Sequence, residues 1–197
     1  MTWLQTLPAW FRRAILRDRA ARWNHQYASG RWERLKAPQE AARLDACATL
    51  LRRHVPGGRL LEIGCGEALL QQRLASGDFS RFVGVDISAV AIERARVITA
   101  NDPRVTYLTA DMRELELAEK FDAVIFTESI YYVPDPAAVL RRYARLLDPD
   151  GVFVVSIFQN KRGAEAWAQI HPVTTVVDRT TTTNAAGSWD CEVLRLR

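Results

Sequence analysis

Sulfur and imidazole are scarce in this sequence: three cysteines and three histidines among 197 residues. Cys47, Cys65 and Cys191 are scattered and odd in number. They show neither zinc-type spacing nor a disulfide framework, which points to a reducing, cytoplasmic home. His25, His54 and His171 stand alone, so no metal site is expected. Long apolar runs are also missing, and none approaches the roughly 18 residues of a membrane span. The opening residues do not read as a secretory leader, because arginines follow the apolar residues instead of preceding them. There is no internal repeat and no low-complexity segment. The four consecutive threonines from Thr180 to Thr183 read as strand formers.

What is present suits one globular domain, alone or with a small appendage: 48% hydrophobic and 25% charged residues. The net charge of +4 is unevenly placed. Within residues 1–32, Arg12, Arg13, Arg17, Arg19, Arg22 and Arg31 face one acid, Asp18. A solvated helix face explains this more simply than nucleic acid, for which no recognition motif is present.

The first third reads as helical. Trp3, Leu4, Leu7, Trp10, Phe11 and Ile15 form one apolar stripe, and Pro8 suits the first turn of a helix running to about Trp23. A second helix is expected over about 38–53, with Leu44, Cys47 and Leu51 on one face. The breaker "VPGG" (55–58) follows. The rhythm then alternates. Strands are expected at 59–63, 81–87, 104–108, 121–126 and from 152, and helices at 67–75, after the N-cap Ser88, after Asp135-Pro136 and at about 162–170. The turn "DPDG" (148–151) leads into the fifth strand. "TTVVDRTTT" and "SWDCEVLRL", joined by "NAAG" (184–187), read as a hairpin. This order predicts an α/β, doubly wound, mostly parallel sheet with an antiparallel C-terminal hairpin and an N-terminal helical arm.

Ligands of such sheets sit at the carboxyl ends of the strands. The first strand ends in Glu62 and enters the turn Gly64-Cys65-Gly66, whose glycines let backbone approach a ligand. The second ends in Asp86, at the spacing of an acid that holds ribose hydroxyls. A dinucleotide fits poorly. Leu69 is too large for the third position of the glycine pattern, and Glu62 would repel a pyrophosphate. A cationic nucleoside such as S-adenosylmethionine fits better.

"LLEIGCGEALL", "VGVDIS", "TADM" and "FDAVIFTESIYYV" resemble, in order and spacing, the motifs of class I S-adenosylmethionine-dependent methyltransferases. The resemblance covers residues 59–160 and implies a seven-stranded sheet. "YASGRWERLKAPQEAARLDA" is similar to the N-terminal segment of nodulation-type N-methyltransferases and of bacterial saccharide or natural-product methyltransferases. The resemblance implies that Glu62, Gly64 and Gly66 line the methionine part of the cofactor, with Cys65 in the same turn and selected for size. It implies that Asp86 holds the ribose and Ile87 the adenine, that Asp111 meets the adenine amino group, and that Met112 offers its backbone nitrogen there. Ala68 stands where many members carry a third glycine. Glu128 falls close to the transferred methyl, or else holds a turn. Tyr131 and Tyr132 are acceptor-pocket aromatics or core. Among the histidines, His25 is the best-placed candidate base.

Residues 1–56 are expected as an arm and lid, and 57–197 as the cofactor-binding domain. Tyr27 and Trp32 would line the pocket from the lid. Peripheral contact with an anionic membrane and a dimer contact are the arm's other readings, so the chain is a monomer or a homodimer. The activity implied is methyl transfer to N or O of a small molecule, leaving S-adenosylhomocysteine. The absence of an evident base motif leans slightly towards an amine acceptor. The alternative is a non-catalytic cofactor-binding protein on the same fold.

Overall fold

The computed structural model describes residues 18–99 and 102–197. The arm's apolar stripe, from Trp3 to Ile15, lies outside them, as do the membrane and dimer contacts assigned to it. The helix expected to end near Trp23 instead spans that residue. Helix α1 covers Arg19–Ala28, and Asp18 caps it by accepting from Ala21 N at 3.2 Å. Helix α2 covers Pro38–His54, with proline in its first turn.

Seven strands follow: β1 Gly58–Ile63, β2 Phe79–Asp86, β3 Val105–Thr109, β4 Phe121–Thr127, β5 Leu147–Phe158, β6 Thr174–Asn184 and β7 Gly187–Leu196. Helices α3 (Ala89–Ile98), α4 (Pro136–Ala144) and α5 (Lys161–Ile170) lie between them. They form one sheet in the order β3-β2-β1-β4-β5-β7-β6. β7 runs antiparallel to both its neighbours, and the other pairs are parallel. Ala185 and Ala186 alone turn the hairpin, since Asn184 pairs with Gly187. Ser88, Asp135 and Asn160 each cap the helix that follows them.

Strand side chains alternate between faces, and each face has its own core. Leu60, Phe82, Ile125 and Val154 pack with α2 and α3 on one side. Leu61, Val83, Val124 and Phe153 pack with α4 and α5 on the other. Covering both faces is what makes these strands continuously apolar. Helix α2 contributes Leu44, Cys47, Ala48 and Leu51 to the first core. It is therefore part of the sheet's own packing.

Two expectations fail. No α-helix spans 67–75; that segment is a run of turns with one short 3-10 turn, Gln71–Arg73. Ala68 sits at φ 61, in the left-handed region, which an α-helix cannot contain. Likewise "DPDG" does not precede the fifth strand but lies inside it. The register with β4 jumps from Phe121–Leu147 to Ala123–Val152, so the extra residues bulge out. Among the described residues, no helix is long and apolar enough to cross a membrane.

Candidate active site

β1 lies between β2 and β4, so chain connections leave it in both directions and open a crevice at the carboxyl ends of the strands. A cavity of about 610 Å³ occupies that crevice, within the usual range for small-molecule sites.

β1 delivers Glu62 to it, almost fully buried. Thr127, at the end of β4, donates its hydroxyl to Glu62 Oε1. Oε2 is buried and accepts no hydrogen bond among the described residues. Burial pushes the Glu62 carboxyl up to about 7.

The turn beyond it is laced to β2. Gly64 N and Cys65 N both donate to Val85 O, at 2.7 and 3.0 Å. Gly66 N donates to Asp86 Oδ2 at 3.0 Å. Gly64 and Gly66 hold φ of 78 and 53. A Cβ on Gly64 would collide with Ser129 Cβ, and one on Gly66 would meet Tyr27 Oη at 2.7 Å. Glycine is thus required twice, by conformation and by close approach. The Cys65 thiol lies against Gly84, and burial raises its pKa. Asp86 also accepts from Ser88 N, at 2.8 Å through Oδ1. Burial still lifts its carboxyl to about 6.

Ile87, Asp111 and Met112 line the cavity further along. Burial pushes the Asp111 carboxyl up, but the hydrogen bonds of Arg113 outweigh it and hold the pKa below its ordinary value.

Beyond β4, Glu128 adopts φ 55, an unfavourable conformation for a residue with a Cβ. Its Oε2 accepts from Tyr131 Oη at 2.9 Å and Phe158 N at 3.1 Å. Among the described residues, Oε1 has only Ser156 Oγ, at 3.5 Å. Burial raises the carboxyl to about 7. Tyr131 and Tyr132 line the cavity beside it. Trp23 meets Tyr132 edge-on at 4.9 Å and stacks on Trp32 at 5.6 Å. Tyr27 and Trp32 complete this aromatic wall.

His25 is not among the cavity-lining residues. Trp23 and Tyr27, four apart, share the helix face that lines the cavity, and His25 between them points about 200° round the helix. The structure thus separates this candidate base from Glu128, Tyr131 and Tyr132.

Four residues escaped the sequence reading. Glu40 and Arg43 are buried at the cavity wall, with Arg43 Nε donating to Glu40 Oε2 at 2.6 Å. They lie on the same side of α2 as Leu44 and Cys47, so charge on an apolar helix face was the available signal. Buried Glu67 bridges Lys36 and Arg94, at 2.5 and 2.7 Å. Asn24 Oδ1 accepts from Ser88 Oγ at 2.8 Å. Together with Tyr27 over Gly66, these contacts hold α1 and the segment after it across the glycine turn. No group of three metal-ligating side chains occurs among the described residues.

A family model described as a methyltransferase domain matches residues 61–155. The chain is 35% identical over 111 residues to a ubiquinone biosynthesis O-methyltransferase of Neisseria meningitidis serogroup A, covering 54% of this chain and 47% of that protein. It is 33% identical over 147 residues to the 27-O-demethylrifamycin SV methyltransferase of Amycolatopsis mediterranei, covering 69% and 52%. The chain thus spans about half the length of these curated relatives. The N-methyltransferase NodS from Bradyrhizobium japonicum, solved with S-adenosylhomocysteine, superposes with a TM-score of 0.71 at 21% identity, over 84% of this chain and 91% of that one. That likeness carries the shared fold beyond residues 61–155. With its motifs on the cavity and its sheet in this order, the matched domain, residues 61–155, is of the class I S-adenosylmethionine-dependent methyltransferase type.

Proposed function

We propose that this protein transfers a methyl group from S-adenosylmethionine to an oxygen or nitrogen of a small molecule of saccharide or natural-product type. The observation that carries this reading is Glu62 Oε2, a buried carboxylate oxygen without a partner beside a glycine turn. A buried acceptor left open costs stability unless a ligand donor completes it. The ammonium of the cofactor's methionine part is such a donor, and a pyrophosphate is not. The missing helix after β1 agrees, since the turn does not lead into a helix N-terminus that would hold phosphate.

On this reading Gly64, Cys65 and Gly66 present backbone to the methionine part. Arg43, buried in the same wall, suits its carboxylate. Asp86 has lone pairs left for ribose hydroxyls after accepting from Gly66 and Ser88. Ile87 packs on the adenine, with Asp111 and Met112 N at its polar edge. Tyr27 and Trp32 exclude water from above.

Bound there, the cofactor supplies an activated methyl on a cationic sulfur. The chain's part is to align the acceptor, which can lower the barrier by roughly 7–11 kcal/mol. Glu128 adds a base. Tyr131 and Phe158 fix one of its oxygens, the other is held only by the long 3.5 Å contact of Ser156 Oγ among the described residues, and a pKa near 7 suits proton removal at neutral pH. Such a base serves a hydroxyl acceptor best, which reverses the lean towards an amine. The two curated relatives, one an O-methyltransferase by name and the other named for a 27-O-demethyl compound, support oxygen as well.

The test is release of S-adenosylhomocysteine across a panel of hydroxyl, amine and sugar acceptors. Turnover with at least one hydroxyl compound, lost in Glu128→Gln, is expected. Cofactor binding without turnover on any of the panel would favour the non-catalytic alternative.

A further inference from the structure

Cys47 on α2 and Cys191 on β7 are 144 residues apart in sequence, and their sulfurs lie 3.1 Å from each other. Both are reduced and buried, at 0% and 2% exposure. The proposed methyl transfer uses neither. Closing the gap to a disulfide bond of about 2.05 Å needs a shift of about 1 Å.

The pair joins two walls of the cavity. On α2, Cys47 follows Arg43 by four residues and Glu40 by seven, so all three share one side of the helix. On β7, Cys191 follows Trp189 by two, which puts both on one face of the strand. Glu40, Arg43 and Trp189 all line the cavity. A covalent bond here would fix α2 to the sheet at the level of the site.

We infer that Cys47 and Cys191 are a redox pair, which hydrogen peroxide oxidises to a disulfide that locks α2 onto β7. In the first step one sulfur, as thiolate, attacks the peroxide O–O bond. This gives a sulfenic acid and, with the thiol's proton, one water. The second sulfur then attacks the sulfenic sulfur, and hydroxide leaves with that thiol's proton as a second water. Two thiols lose two electrons and the peroxide gains them. The Cys47 contact and burial both keep Cys191 protonated, so the reaction is slow and waits on partial lifting of α2. Once one sulfur is oxidised, the other is already in place, which favours the disulfide over further oxidation.

The test treats the full chain with hydrogen peroxide, blocks remaining thiols under denaturing conditions, and maps peptides by mass spectrometry without reductant. A joined peptide holding Cys47 and Cys191, two hydrogens lighter than the separate pair and released by dithiothreitol, is expected. Hydrogen exchange of the α2 amides should slow at least several-fold in the oxidised, still folded protein. Recovery of both thiols reduced would overturn the inference. So would their separate conversion to sulfinic acids, a bond involving Cys65 instead, or a bond that leaves α2 exchange unchanged. Cys47→Ser and Cys191→Ser should each abolish the joined peptide, and the wild-type readout stands if either fails to fold. None of these readouts depends on methyl transfer.

Discussion

The backbone nitrogen of Gly66 donates to Asp86 Oδ2 at 3.0 Å, tying the glycine turn after β1 to the end of β2. Asp86 Oδ1 takes the Ser88 amide at the head of α3. One carboxylate thus holds three consecutive pieces of the crevice. In Asp86→Asn, the amide nitrogen must face one of these two N–H groups, donor against donor. A loss of about 1.5–3 kcal/mol of stability is expected from a hydrogen bond to a charged group, together with at least tenfold weaker cofactor binding. Thermal denaturation and calorimetry check both, and an unchanged variant would remove Asp86 from this role.

The two glycines should differ. A methyl on Gly64 meets the backbone-anchored Cβ of Ser129, whereas one on Gly66 meets the far end of the Tyr27 side chain. Gly64→Ala should therefore cost several kcal/mol or prevent folding, while Gly66→Ala folds with a smaller loss, about 1–2 kcal/mol. Chemical denaturation of the pair gives the comparison. Equal losses would contradict it.

Ala68 tests the correction to the segment after β1. In a helix, Ala68→Gly would lose about 1 kcal/mol of propensity as well as a buried methyl. At φ 61 the substitution relieves left-handed strain, which offsets the lost methyl. A change within about 0.5 kcal/mol is expected by denaturant titration, against about 2 for a helix.

Much of this was legible in the sequence. The succession of strands and helices, the helix caps at Ser88 and Asp135, and the C-terminal hairpin follow from apolar runs and turn chemistry, which act locally. The acids at the ends of β1 and β2 were legible because the fold delivers strand ends to one crevice. The misses have physical causes. The segment 67–75 has the apolar spacing of a helix, but the left-handed backbone at Ala68 overrides it. Glu40, Arg43 and the Cys47–Cys191 contact depend on where α2 lands on a sheet whose strand β7 begins over a hundred residues later. His25 looked useful for its neighbours, but one helix cannot turn Trp23, His25 and Tyr27 to the same side.

Three buried carboxyls set the response of the ligand-free protein to pH. Burial raises Glu62 and Glu128 to about 7 and Asp86 to about 6, above ordinary values of 4.5, 4.5 and 3.8. Between those limits the folded state binds protons that the unfolded chain releases, so stability rises as pH falls from 8 towards 5. The melting temperature should climb over that range, and less steeply in Glu128→Gln. A flat or falling profile would contradict the assignment.

Glu62 separates stability from binding, because its open oxygen is a cost to the empty protein and a contact for the cofactor's ammonium. Calorimetry of S-adenosylmethionine with the wild type and Glu62→Gln, with NAD as a control, tests the central claim most directly. Binding of S-adenosylmethionine and not NAD is expected, at least tenfold weaker in Glu62→Gln, in a variant that melts no lower than the wild type. Binding of NAD without S-adenosylmethionine, or equal S-adenosylmethionine affinity in the two proteins, would contradict it.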